Sequence, residues 1–198
     1  MTNIKYQVTF FSQWHCGSGL SKGADVDALV IKDEDGLPFI PGRTMKGLVK
    51  EATEELLFLQ NGWTEEKRDA FIQTFGNSED RDYSHDNSDS LKARRGNAFF
   101  GNAELDENER AAIIGNKLQK MLYNQTASTA IGKDGIAEEH SLRQTETVVP
   151  CRLHGEISGV DERIADTVVG ALRFIKRIGV NRTRGLGRCD IKGERRDS

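Results

Sequence analysis

No stretch of this sequence approaches the roughly 20 consecutive apolar residues that span a bilayer. The opening MTNIKYQVTF also lacks the basic-then-apolar layout of a secretory signal. The expectation is a cytoplasmic protein with no membrane partner. Cysteine is scarce: Cys16, Cys151 and Cys189 are three, an odd number and far apart, which predicts reduced thiols and argues against a disulfide framework. Paired zinc spacing is missing too, because Cys151 and His154 form one C-x-x-H pair with no second to match, and His15, His85 and His140 are scattered. Positive charge is not in excess: 28 Lys and Arg against 31 Asp and Glu leave a net charge of -3, so bulk charge alone would not coat a nucleic acid. Internal repeats and low-complexity tracts are absent. What the 198 residues contain, 36% hydrophobic and 30% charged side chains, suffices for one domain with an ordinary core and excludes a disordered tail or a linker.

Charge is unevenly placed along the chain. Residues 170 to 198 carry nine basic side chains against three acids. Arg43, Lys46 and Lys50 form a smaller basic group, just after a run of acids at Asp25, Asp27, Asp33, Glu34 and Asp35. Segregation of this kind favours a phosphate-bearing partner, while the plainer reading is helix-dipole and solubility chemistry.

Residues 4 to 11 alternate apolar and polar with the period of a strand that buries one face. Residues 26 to 40 read as a hairpin turning at Asp35-Gly36, and Thr44 as the N-cap of a helix running to about Leu59. Residues 76 to 97 are almost devoid of apolar side chains and predict an exposed polar insertion. A short strand at 98 to 105 and a possible helix at 107 to 122 follow, then an irregular hairpin arm at about 126 to 150. RLHGEISGV alternates as a strand, Asp161 caps a second helix ending before Gly179, and RCDIKG closes the chain as a strand. Without the insertions the order is strand, helix, strand, strand, helix, strand. That predicts an α+β fold with a ferredoxin-like, RNA-recognition-motif-like core in a single domain over 1 to 198.

Three loops carry anion chemistry. GSGLSKG (17 to 23) fails the spacing of nucleotide phosphate loops. Its glycines nevertheless admit a close polyanion, making Gly19 and Lys22 candidates alongside the reading of a plain flexible loop. GLPFIPGRTMKG (36 to 47) puts Arg43, Thr44 and Lys46 at a helix start, with Lys50 one turn on, where free N–H groups attract phosphate. Turn chemistry and solvated lysines account for the same residues. GVNRTRGLGR (179 to 188) joins Gly185 and Gly187 to the guanidinium forks of Arg182 and Arg184. Asp25 and Asp27, two apart in an expected strand, share a face and so could hold a divalent cation or orient a ribose 2′-hydroxyl. Exposed acids at a strand start are also common.

In combination, HCGSGLSKGADVDALVIKDEDGLPFIPGRTMKG, AIGKDGIAEEHSLRQTETVVP and GVNRTRGLGRCDI resemble the RAMP superfamily of CRISPR-associated proteins, and within it the repeated backbone subunit of type III effector complexes. The resemblance implies a subunit that stacks with copies of itself and with other subunits along a guide RNA and holds the guide paired with target RNA. It implies that the arm, residues 130 to 149, acts as a thumb with Ile131, Ile136 and Leu142 as wedges. Arg43 and Lys46 match the guide-binding helix start, and 179 to 188 the Gly-rich signature. Asp27, six residues before Asp33, matches the family's catalytic spacing and implies an endoribonuclease that cuts target RNA by 2′-hydroxyl attack with a divalent metal ion, magnesium, on Asp27. Two rivals remain: a purely structural backbone subunit, and a freestanding guide-processing endoribonuclease of the same superfamily.

Overall fold

The computed structural model describes residues 1–20, 27–77, 95–138 and 140–196. Lys22, Asp25 and most of the polar insertion lie outside the described residues. In chain order the elements are β1 (Thr2–Phe10), α1 (Gly42–Leu59), α2 (Glu65–Phe75), β2 (Phe99–Phe100), α3 (Glu107–Gly115), β3 (Tyr123–Ser128), β4 (Arg143–Val148), β5 (Arg152–Val160), α4 (Ala165–Phe174) and β6 (Cys189–Arg196).

The mixed α+β class holds. The main sheet is antiparallel with strand order β2-β5-β1-β6, and β3 pairs with β4 as a separate two-stranded arm. Strand β1 alternates as its sequence demands, with Ile4, Tyr6, Val8 and Phe10 buried. These side chains meet Leu153, Ile157 and Ile191 of the neighbouring strands and Met45, Val49, Val168 and Leu172 of α1 and α4, which cover one face of the sheet.

Several boundaries differ from the sequence reading. Thr44 is not the N-cap of α1, whose cap is Pro41, three residues earlier, and the Pro41 carbonyl accepts the N–H groups of Thr44 and Met45 at 2.9 and 3.1 Å. Proline suits that position because its ring fixes φ, here −59°. Gly42 is demanded by close approach, since a Cβ there would collide with the Phe100 carbonyl.

Of the expected hairpin at 26 to 40, the described residues from 27 on keep one bridge, Lys32 to Pro38. Asp33 organises its turn, accepting the Asp35 and Leu37 N–H groups at 3.0 and 2.8 Å, while Val30 and Ile40 pair elsewhere, with Gly17 and Ala103. Helix α2 lies where the sequence reading assigned nothing. It is capped by the Thr64 hydroxyl, which accepts the Lys67 N–H, and it buries Ala70, Phe71 and Phe75. The helix expected at 107 to 122 breaks at Lys117, in the left-handed region at φ 55°, into α3 and a 3-10 turn.

Helix α4 ends at Phe174, well before Gly179, because the chain beyond pairs with the closing loop: the Ile178 N–H donates to the Gly187 carbonyl and the Cys189 N–H to the Lys176 carbonyl. Gly179 (φ 96°) instead lies against the His15 carbonyl, where a Cβ would collide.

Candidate nucleic-acid interface

The first cationic place is built where the start of α1 meets the segment leading into β2. That segment is held on the end of α2: the Asn97 N–H donates to the Gln73 carbonyl at 2.7 Å and the Ala98 N–H to the Thr74 carbonyl at 3.1 Å. A hollow of about 470 Å³ results, lined by Arg43, Lys46, Arg95, Asn97 and Phe99 among others and, among the described residues, by no acidic one. Among the described residues, Arg43, Lys46 and Arg95 form no ion pair. The helix start is partly satisfied internally, since the Gly42 N–H donates to Asn102 Oδ1 at 3.0 Å and the Thr44 N–H to Pro41. Lys50 does not line this hollow: its ammonium lies 5.8 Å from the centroid of the Phe71 ring on α2. Arg95 and Phe99 were not singled out from the sequence, and only their place in the fold marks them.

The second place is the Gly-rich loop after α4. Asn181 (φ 54°) opens a 3-10 turn, Arg182–Arg184, and Gly185 (φ 89°) closes it. Gly187 is structural: its N–H donates to the Gln13 carbonyl at 2.7 Å, and a Cβ would strike the Ile178 carbonyl. Gly185 and Gly19 (φ 78°) have open space where a Cβ would stand, which leaves their backbones approachable. The two loop arginines diverge. Arg184 shares a hollow of about 500 Å³ with Arg143, His140, Ser128, Ser141 and the acidic Glu138 of the arm. Arg182 shares another, of about 410 Å³, with Lys176, Arg177 and the acidic Glu51 and Glu55 of α1. Of the predicted cations among the described residues, Arg43 and Lys46 are brought together, whereas Lys50, Arg182 and Arg184 stand apart from them and from one another.

Asp27 is exposed at the base of the arm. Its N–H donates to the Gln144 carbonyl at 2.9 Å, and its Oδ2 accepts the Gln144 N–H at 2.7 Å. The following residues are sewn to β4 by Glu146, whose Oε2 accepts the Val30 N–H at 3.0 Å and whose Oε1 meets Lys32 at 2.8 Å. The buried His15 adds a hydrogen bond between its Nδ1 and the Glu146 carbonyl, 2.6 Å apart. Asp33 faces other duties, in its turn and with Arg110 Nη1 at 2.7 Å. That hydrogen bond, with Asp35 and Glu104 near, holds the guanidinium more firmly protonated than usual.

Among the described residues no three of His, Cys, Asp and Glu are grouped to hold a metal. The thiols are free, as expected, and burial pushes them up, Cys16 and Cys189 to about 12 and Cys151 to about 11, so none is an activated nucleophile. Along the arm, Ile131, Ile136 and Leu142 are all well exposed.

No helix among the described residues is long and apolar enough to cross a membrane. No curated protein sequence matches the chain significantly. Many solved chains share its fold, among them two from the type III-B Cmr-beta complex. A chain in the cryo-EM structure of the type III-B Cmr-beta bound to cognate target RNA superposes with a TM-score of 0.68 at 14% identity, covering 96% of both chains. One in the apo state of Cmr-beta superposes with a TM-score of 0.66 at 13% identity, also covering 96% of both. The model of the RAMP superfamily matches residues 7–190, nearly the whole length, and the chain belongs to that superfamily.

Proposed function

We propose that this protein is an RNA-binding backbone subunit of a type III CRISPR ribonucleoprotein, formed by residues 1 to 198 as one domain, that holds a guide RNA and its paired target. The observation that carries the reading is the hollow in which, among the described residues, Arg43, Lys46 and Arg95 stand with no acidic lining and no ion-pair partner, because such unneutralised cations in a chain of net charge -3 suit a phosphate backbone. The strand order β2-β5-β1-β6 with α1 and α4 on one face supports a ferredoxin-like, RNA-recognition-motif-like core. The near-complete superposition on Cmr-beta chains supports the assembly, with copies of this chain and other subunits as partners. Sequence would then be read by base pairing, not by the protein.

For cleavage of the target, Asp27 is the residue on which the reading depends. The Gln144 N–H fixes one carboxylate oxygen, leaving the other to orient or deprotonate a 2′-hydroxyl. A divalent ion such as magnesium typically takes one or two carboxylates plus substrate phosphates, and when bound it would neutralise charge at the scissile phosphate. Asp27, exposed and with one carboxylate oxygen unoccupied by a hydrogen bond among the described residues, would supply one such carboxylate. A non-catalytic backbone subunit is favoured by a different observation: Asp33, the second acid of the catalytic spacing, is committed to its turn and to Arg110.

Purification followed by nucleic-acid extraction tests the main reading, which expects a guide RNA of defined length; protein free of RNA from cells expressing the whole system would overturn it. Asp27→Ala in an intact complex decides between the catalytic forms. Loss of target cutting with guide binding retained supports the nuclease, and unchanged cutting leaves a scaffold.

A further inference from the structure

The exposed ring of Phe99 has no part in the chemistry described so far. Single exposed apolar side chains are ordinary, so the 70% exposure of Phe99 decides nothing by itself. Its setting does. Strand alternation buries the next residue, Phe100, against Phe75, with ring centroids 6.1 Å apart, and so forces Phe99 outward. The strand is pinned by pairing with Ser158 and Ile157, and just beyond it the Gly101 N–H donates to the Glu156 carbonyl at 2.9 Å. The ring is therefore held on a rigid edge at the rim of the hollow that contains Arg43, Lys46 and Arg95. That hollow, of about 470 Å³, falls in the roughly 300–1,000 Å³ range of small-ligand sites.

We propose that Phe99 is a stacking platform for one unpaired RNA base, with Arg43, Lys46 and Arg95 holding the phosphates on either side of it. The inference rests on the RNA-binding reading above and adds the ligand's second half. A flat aromatic face at the edge of a cationic hollow takes a base as well as a phosphate, and does so without sequence preference because every base has a π-face. Among the described residues the three cations have no acidic neighbour in the hollow, in contrast to Arg182, which shares its hollow with Glu51 and Glu55. The start of α1 is not what holds the ligand, since its Gly42 N–H is already given to Asn102.

The test measures binding of the full chain to a mixed-sequence single-stranded RNA and to the same strand made abasic, using wild type, Phe99→Ala and Phe99→Trp. The expected result is that wild type prefers the intact strand and that Phe99→Ala weakens it about tenfold, the size of one base stack, while leaving abasic binding unchanged. Phe99→Trp should keep the affinity, and its emission should be quenched by the intact strand only. Equal binding of both strands by wild type, or an unaltered affinity in Phe99→Ala, would overturn the platform while leaving RNA binding intact. Failure of wild type to bind either strand would overturn the RNA-binding reading and the platform with it.

Discussion

Asp161 accepts the Arg163 N–H at 3.0 Å at the start of the turn leading into α4, and its carboxylate also takes the Arg163 guanidinium at 3.0 and 2.8 Å. The side-chain hydrogen bond from Arg163 is the main cause holding the carboxyl below its usual range. A carboxylate with a lowered folded-state pKa adds stability above its unfolded value, near 3.9, and loses it as pH falls through the folded value. Asp161→Ala is expected to cost about 1 kcal/mol at neutral pH, the usual worth of a cap. The gap between mutant and wild-type melting temperatures should close as pH drops below about 4. A gap that persists in acid would show that the charge is not its source. Glu146 works differently, because its carboxylate is the partner of a buried residue's backbone, the Val30 N–H. Glu146→Ala leaves that donor unpaired at a cost of about 1–3 kcal/mol. Hydrogen exchange should quicken at Val30 and Ile31, and target cutting should fall more than guide binding as the segment carrying Asp27 loosens. Unchanged exchange there would free Asp27 from any dependence on Glu146.

At the scale of elements, legibility followed the strength of the local pattern. Strand β1 and helix α1 bury clean stripes at periods of two and of three to four, and both were found from the sequence. Helix α2 was missed because its buried apolar side chains, Ala70, Phe71 and Phe75, are few and set among charges; Thr64 followed by Glu65 and Glu66, a cap with acids in the first turn, was the available signal. The end of α4 was not legible from its own residues, since long-range pairing of Ile178 with Gly187 decides it. The arm makes an element-scale prediction. Its base is tied down by Gln144, Glu146 and Val148, whereas from Gly132 to Glu138 the hydrogen bonds close within the arm. Replacing residues 133 to 137 with a short turn is therefore expected to leave the melting temperature nearly unchanged and guide binding intact. Target holding should be disturbed, read as altered pairing or cutting of a matched target. Normal target handling by the shortened arm would remove the thumb assignment.

For the whole molecule, the decisive property is where the positive charge sits rather than how much there is. With a net charge of -3 the protein as a whole repels a polyanion, so attraction has to come from local contacts that release counterions. The sequence pattern located Arg43 and Lys46, but their partnership with Arg95 and Phe99 needed α2 to bring a distant segment against the start of α1. Each phosphate contact contributes about one to the slope of log affinity against log salt, so Arg43→Ala with Lys46→Ala should weaken RNA binding and flatten the slope by about two. Lys117→Ala with Lys120→Ala removes the same formal charge from exposed positions that line none of the hollows described above. Bulk electrostatics would make the two pairs alike, whereas local contacts make only the first pair change the slope. Titrations of one RNA at several salt concentrations separate these cases, and identical slopes for both variants would remove the start of α1 from the interface.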